Sequence, residues 1–184
     1  IQEIDASVGR IVDHLEKADQ LNNTLIIYTS DNGPWLTYGN HAGSAGPFRE
    51  GKGTTYEGGM RVPFIAYWPD GIKRPGSILR DPYSLVDLLP TLCVISGITQ
   101  IGHDVDGYAF HEQLMNGGGM FDRAFYYYRS GQVEAVRFGK WKLHRPHYYR
   151  SVDQVGFYGE GGSYAYQETE LELYDLQGDP GERY

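Results

Sequence analysis

The sequence predicts an α/β body followed by a small antiparallel sheet, and three observations carry that prediction. Ile1, Ile4, Val8, Ile11, Val12 and Leu15 recur at helical spacing. The runs at 25–29 and 63–68 are apolar and rich in β-branched or aromatic residues. They lack strict alternation, the pattern of strands buried on both faces. Beyond Ala124 the composition shifts: ten of the sixteen tyrosines lie past position 125, in short runs separated by glycines.

In chain order, residues 1–18 are expected as one amphipathic helix. Asn22-Asn23 punctuate the approach to 25–29, read as a buried parallel strand, and Asp31-Asn32-Gly33-Pro34 end it in a turn. The loop from Asp31 to Glu57 is longer than connections without a function usually are. A second strand follows at 63–68. Asp87 is placed to cap a helix over 88–96, with Pro90 in the first turn, where its missing N–H costs nothing, and Gly97 at the end. Cys93 falls inside that helix and reads as a buried small hydrophobe. Residues 99–123, with Gly117-Gly118-Gly119, read as connecting loop and a short helix. Strands are expected at 124–128, 133–138, 140–144 and 171–176, with Gly131 and Gly139 at turns and 156–162 as a mobile excursion between the last two. The α/β portion therefore spans 1–120 and the sheet subdomain 121–184.

Composition narrows the function classes. At 184 residues there is room for one domain, or one and a half, with a real core. A net charge of -8 argues against nucleic acid as a partner. No apolar run approaches the ~18 residues of a membrane span. The single cysteine rules out an internal disulfide and leaves the compartment open.

Chemistry concentrates in two motifs. Thr29-Ser30-Asp31-Asn32-Gly33 places a carboxylate and an amide oxygen directly after a strand, where α/β sheets collect ligands. These donors suit Ca²⁺ or Mg²⁺ better than Zn²⁺ or Cu²⁺, but two ligands fall short of the roughly six to eight that Ca²⁺ takes. Asp-Asn-Gly is also an ordinary turn. Gly51-Lys52-Gly53-Thr54 then sets one cation between glycines, a group suited to an oxyanion. The spacing is not that of a P-loop.

Extended to Gly51-Lys52-Gly53-Thr54-Thr55-Tyr56-Glu57-Gly58-Gly59 and Arg61-Val62-Pro63, this pattern resembles the sulfatases, most of all the arylsulfatase A and N-acetylgalactosamine-6-sulfatase branch. Val86-Asp87-Leu88-Leu89-Pro90-Thr91-Leu92, Gly139-Lys140-Trp141-Lys142, Leu173-Tyr174-Asp175-Leu176 and Asp179-Pro180-Gly181-Glu182 reinforce it, in the family's order. The resemblance implies the C-terminal part of an alkaline-phosphatase-like α/β/α sandwich plus an antiparallel C-terminal sheet. It implies cleavage of aryl or carbohydrate sulfate esters through a formylglycine and a divalent metal, Ca²⁺ or Mg²⁺. By the same resemblance, Asp31 and Asn32 are metal ligands. Asp31 also neighbours the nucleophile, and Lys52 contacts the sulfate and the leaving-group oxygen. A periplasmic, secreted or lysosomal location is implied too. The C/S-x-P-x-R formylglycine signature and the early Asp-Asp pair do not occur in these residues, so the chain reads as a C-terminal fragment, inactive alone. A phosphodiesterase or phosphonate hydrolase of the same superfamily, or a non-catalytic module keeping the fold, are the alternatives.

Further candidates surround Lys52. His41 is a candidate substrate contact. Arg49 and Glu57 are expected to pair with each other or support Lys52, and Arg61 to anchor a strand edge. The basic, aromatic run 140–150 reads either as an edge strand with a charged face or as a rim contacting an anionic or glycan substrate.

Overall fold

Helix α1 (Gln2–Lys17) opens the chain, followed by β1 (Ile26–Thr29), the short helix α2 (Glu57–Met60) and β2 (Phe64–Tyr67). Helices α3 (Leu88–Ile95) and α4 (His111–Asn116) precede six strands. These are β3 (Ala124–Arg129), β4 (Gln132–Phe138), β5 (Trp141–His144), β6 (His147–Gln154), β7 (Ser163–Thr169) and β8 (Glu172–Asp175). The structure, a computed structural model, describes residues 1–98, 100–118 and 122–184. Gly119 and the boundary expected at 120/121 lie outside the described residues. The chain divides into one unit of residues 1–29 and 64–121 and a second of residues 30–63 and 122–184. The loop carrying both chemical motifs thus belongs with the C-terminal strands. Among the described residues no helix is long and apolar enough to cross a membrane.

In the first unit, α1 carries Glu3 and Asp5 in its first turn and His14 and Lys17 in its last, signs that suit the helix dipole. β1 and β2 pair antiparallel, Ile26 opposite Tyr67 and Thr29 opposite Phe64, which corrects the expected parallel strand. Neither is fully buried, and Ile65 is 61% exposed. An apolar run without alternation encodes a tendency to burial but not the direction of its partner. Asp87 holds the N-cap position of α3 but makes no side-chain cap bond to that helix. A 3₁₀ turn at Leu85–Asp87 precedes the helix, so Asp87 already follows the helical path and its carboxylate reaches back to the N–H groups of Ser84 and Tyr108. Pro90 sits buried in the first turn of α3. Gly97, at φ +74°, ends it, with Ile98 N–H donating to the Cys93 carbonyl. Cys93 is only half-buried.

In the second unit the strand order is β3-β4-β5-β8, all antiparallel, beside a separate β6–β7 hairpin. The hairpin was not expected, because His147-Tyr148-Tyr149-Arg150 read as part of a basic run. The four-stranded sheet inverts the usual polarity. Its row Tyr127, Ala135, His144, Glu172 and its row Phe125, Arg137, Lys142, Tyr174 share one face, and Lys142 and His144 there are completely buried. The opposite row, Tyr126, Val136, Leu143 and Leu173, leaves Tyr126 and Leu173 about 60% exposed. β5 is consequently an interior strand with its charges inward, which overturns the edge-strand reading over Trp141–His144, whereas β6 lies in a two-stranded sheet. Inward charge needs partners, and Lys142 has two: Glu57 Oε1 at 3.0 Å and Glu182 Oε1 at 2.9 Å.

Candidate active site

The turn after β1 is built by its own side chains. Ser30 Oγ donates to the Asn32 carbonyl at 3.0 Å, and the Asn32 amide nitrogen donates to the Gly33 carbonyl at 2.9 Å. That use of the amide N–H leaves the Asn32 oxygen to offer as a ligating atom, beside the exposed Asp31 carboxylate. Two backbone bonds then join this turn to the Lys52 loop: Gly33 N–H to the Gly59 carbonyl and Lys52 N–H to the Pro34 carbonyl, both 2.9 Å.

Such close backbone approach explains the glycines. A Cβ on Gly33 would stand 1.8 Å from the Gly58 oxygen, on Gly51 2.5 Å from the Pro34 oxygen, and on Gly58 2.1 Å from the Glu50 oxygen. All of these are below any real contact with backbone that cannot swing aside. Gly58→Ala is therefore expected to destabilise the second unit by at least about 2 kcal/mol in chemical unfolding. Gly9→Ala, in open space on α1, is expected to be neutral or to stabilise by up to about 1 kcal/mol. Equal effects at both positions would contradict the packing account.

Lys52 is held by its backbone and left free at its tip. Its N–H is bound to Pro34, and its carbonyl accepts from Arg150 Nε at 3.1 Å and Nη2 at 2.6 Å. The ammonium lies 5.3 Å from the centre of the Trp35 ring and, among the described residues, pairs with no carboxylate. Leu36, Glu50, Thr54, Arg150, Val152 and Tyr164 line the small recess beside it.

Arg49, Glu57 and Arg61 resolve differently from expectation. Arg49 and Glu57 do not pair with each other. The Arg49 guanidinium lies 4.0 Å over the Tyr56 ring and donates to the hydroxyls of Tyr149 and Tyr174. Glu57 is buried and bound to Lys142 and, at 3.7 Å, to Arg137. Both had opposite charges within reach in the tertiary structure that the local sequence does not show. Arg61 rests over Phe48 and 3.8 Å from Glu57, on the loop and not on a strand edge. His41 is exposed at the end of the 3₁₀ segment Leu36–His41.

Sequence reasoning missed Arg150 as the residue gripping Lys52, Ser151, whose hydroxyl donates to Glu50 at 2.9 Å, and the buried group Lys142, His144 and Glu182. Glu182 accepts from the Glu57 N–H and from His144 Nε2 at 2.8 Å. Since a carboxylate only accepts, His144 carries its proton on Nε2, and its buried Nδ1 has no partner among the described residues. Burial is the largest influence on His144 and holds its pKa below 6.5. For Glu182, burial pushes upward but is outweighed by His144, Lys142 and the Glu57 N–H, so its carboxyl stays below the usual range. The one signal for this group in the sequence is that Lys142 and His144 alternate with Trp141 and Leu143, which fits two faces but not which face is inward.

A model of the sulfatase family matches residues 1–98, more than half the chain. The chain belongs to the sulfatase family. Human arylsulfatase A is 36% identical over 194 residues, covering all of this chain and 37% of that relative. Mouse N-acetylgalactosamine-6-sulfatase is 36% identical over 197 residues, again all of this chain and 38% of the relative. Among solved structures, the PsFucS1 sulfatase from Pseudoalteromonas sp. superposes with a TM-score of 0.82 at 30% identity, over 99% of this chain and 36% of that one. This sulfatase chain thus spans somewhat more than a third of the length of the relatives it matches. The sulfatase fold class expected from sequence, alkaline-phosphatase-like α/β with an antiparallel C-terminal sheet, holds.

Proposed function

We propose that these residues supply part of the active site of a sulfuric ester hydrolase, with Lys52 as the charge-stabilising group and Asp31 and Asn32 as two oxygen ligands of a divalent cation. The observation that carries the reading is the Lys52 ammonium, which pairs with no carboxylate among the described residues, on a backbone bonded at both sides, to the Asp31–Asn32 turn through Pro34 and to Arg150.

The donor set fits a hard cation such as Ca²⁺ or Mg²⁺, and it is partial. Among the described residues no group of three His, Cys, Asp or Glu side chains converges on a metal-sized site. When bound, the cation supplies Lewis acidity at the sulfate oxygens, and a formylglycine supplies the nucleophile. Asp31, which is exposed, would offer a carboxylate oxygen as a proton acceptor. Lys52 presents a compact positive charge to the leaving oxygen as the S–O bond breaks, held by the backbone so that little reorganisation is needed.

The test uses two proteins: this 184-residue chain, and the polypeptide expressed from the complete reading frame around it. The longer protein is expected to hydrolyse sulfate esters in preference to phosphate diesters. The chain alone is expected to turn over neither and to bind Ca²⁺ no more tightly than millimolar by calorimetry, because two oxygens are too few. Faster turnover of phosphate diesters by the longer protein would move the assignment to a phosphodiesterase. Turnover by the isolated chain would reveal a nucleophile among these residues.

A further inference from the structure

We infer that Arg150 is a positioning residue for the sulfate-ester reaction: its guanidinium locks the turn over 51–54 through the Lys52 carbonyl and so fixes the point from which the Lys52 ammonium reaches out. This rests on the reading of Lys52 as the charge-stabilising group and adds to it the residue that aims that charge.

A lysine between two glycines has a loose backbone, because neither neighbour carries a Cβ to restrict the chain. The turn supplies the first restraint: Thr54 donates to the Gly51 carbonyl through its N–H at 3.2 Å and its hydroxyl at 3.0 Å. Gly53, the third residue of that turn, stands at φ +85°, the region a type II turn needs there. The carbonyl of the second residue, here Lys52, is the group that turns over between type II and type I geometry. Arg150 binds that carbonyl with two donors, Nε at 3.1 Å and Nη2 at 2.6 Å. Two donors in one rigid plane fix a direction as well as a distance, which the point charge of a lysine would not.

The surroundings hold the guanidinium at this task. It fills the space a side chain at 53 would take: a Cβ on Gly53 would stand 2.5 Å from its carbon and 2.6 Å from Nε. It stacks 4.5 Å over Tyr164 of β7. Among the described residues Arg150 pairs with no carboxylate, although Glu50 lines the same recess, where it accepts from Ser151 instead. A full charge bound to a neutral backbone oxygen points to that oxygen's position as what matters. The strand carrying Arg150 is itself stapled down. The Tyr149 hydroxyl accepts from Arg49 and Ser151 donates to Glu50, both at 2.9 Å. At the far end of the hairpin the N–H groups of Gly156 and Gly162 donate to the Thr37 carbonyl, at 2.6 and 2.9 Å. The excursion over 156–162, expected to be mobile, is therefore tied to the segment after Pro34, and Pro34 accepts the Lys52 N–H. Lys52 is thus gripped at its N–H and its carbonyl by two segments bonded to each other.

The experiment measures kcat and KM on a small aryl sulfate for the protein from the complete reading frame, for Arg150→Lys, for Lys52→Ala and for the two combined. Arg150→Lys keeps the charge and loses the fork. It is expected to lower kcat about tenfold with KM within about twofold, and to lower kcat less than about twofold in the Lys52→Ala background. Equal losses in both backgrounds would show that Arg150 acts on the fold and not through Lys52. That result, an unchanged kcat in the single variant, or unfolding of both Arg150→Lys and Arg150→Ala would overturn the inference. A second readout needs no turnover. Lysines are methylated with a ¹³C label, and the Lys52 signal, identified by its absence in Lys52→Ala, carries the ring-current shift of Trp35, 5.3 Å away. In both Arg150 variants that shift is expected to collapse toward the position of freely exposed lysines. If wild type hydrolyses no sulfate ester but the shift is lost in the variants, the hydrolase reading fails and the positioning of Lys52 stands. Sulfate-ester turnover with kcat and the shift both unchanged in the variants sinks the positioning role alone.

Discussion

Replacing Lys52 with alanine is expected to lower kcat for sulfate-ester hydrolysis by about a hundred- to a thousandfold in the protein from the complete reading frame, the range for losing one preorganised charge-stabilising group. The fold is expected to survive. The side chain is only half-buried, its ammonium bonds no carboxylate among the described residues, and the backbone bonds to Pro34 and Arg150 do not need it. KM is expected to change less than kcat, since the charge matters most as the leaving oxygen gains its own. Asp31→Ala makes the contrast. It removes a metal-ligating oxygen, so its loss of activity is expected to shrink at high Ca²⁺, whereas that of Lys52→Ala is not. Activity of Lys52→Ala within about threefold of wild type on several sulfate esters would leave Lys52 as an ordinary loop residue.

Removing Lys142 is expected to be the most destabilising single change in the second unit. Lys142→Ala leaves the Glu57 and Glu182 carboxylates buried with their shared cation gone, a loss of about 3–5 kcal/mol when one partner of a buried pair is deleted. Acid is expected to weaken the same cluster by two routes of one sign. His144 is held neutral below its ordinary 6.5, so as pH falls through that value the unfolded chain binds a proton that the folded chain refuses. Stability then declines by up to about 1.4 kcal/mol per pH unit. The Glu182 carboxyl, held below its ordinary value, contributes stability at neutral pH that is lost as pH falls further through its folded pKa. Urea midpoints followed from pH 7.5 to below the ordinary carboxylate range measure both, and His144→Asn is expected to flatten the decline nearest pH 6. A midpoint that rises on acidification would show that His144 is charged in the fold.

Much of this was legible along the chain. Lys52 is conspicuous because glycines isolate it, and Asp31 and Asn32 because they end an apolar run. The strands β3, β4, β5 and β8 emerge within a residue or two of expectation, since aromatic and β-branched runs between glycine turns have few other conformations. The helix over 88–95 does so for similar reasons, with Asp87 at its N-cap position but its carboxylate bound to Ser84 and Tyr108. What stayed hidden is what depends on partners far away in sequence. Arg150 holds Lys52 across 98 positions, and Glu182 closes on Glu57 across 125. No local periodicity records such a pairing.

The sequence alone determined the family, the presence of two short strands flanking a glycine-rich loop, and the residue types available for chemistry, because these follow from local composition and motif. Tertiary structure decided the rest. It set β1 against β2 in antiparallel order and placed Lys142 and His144 inward on β5. It also joined the Lys52 loop to the C-terminal strands. Strand direction, the face a side chain takes and the partner of a buried charge are all fixed by where distant segments meet, and only there does the free energy of desolvating a charge find its compensation.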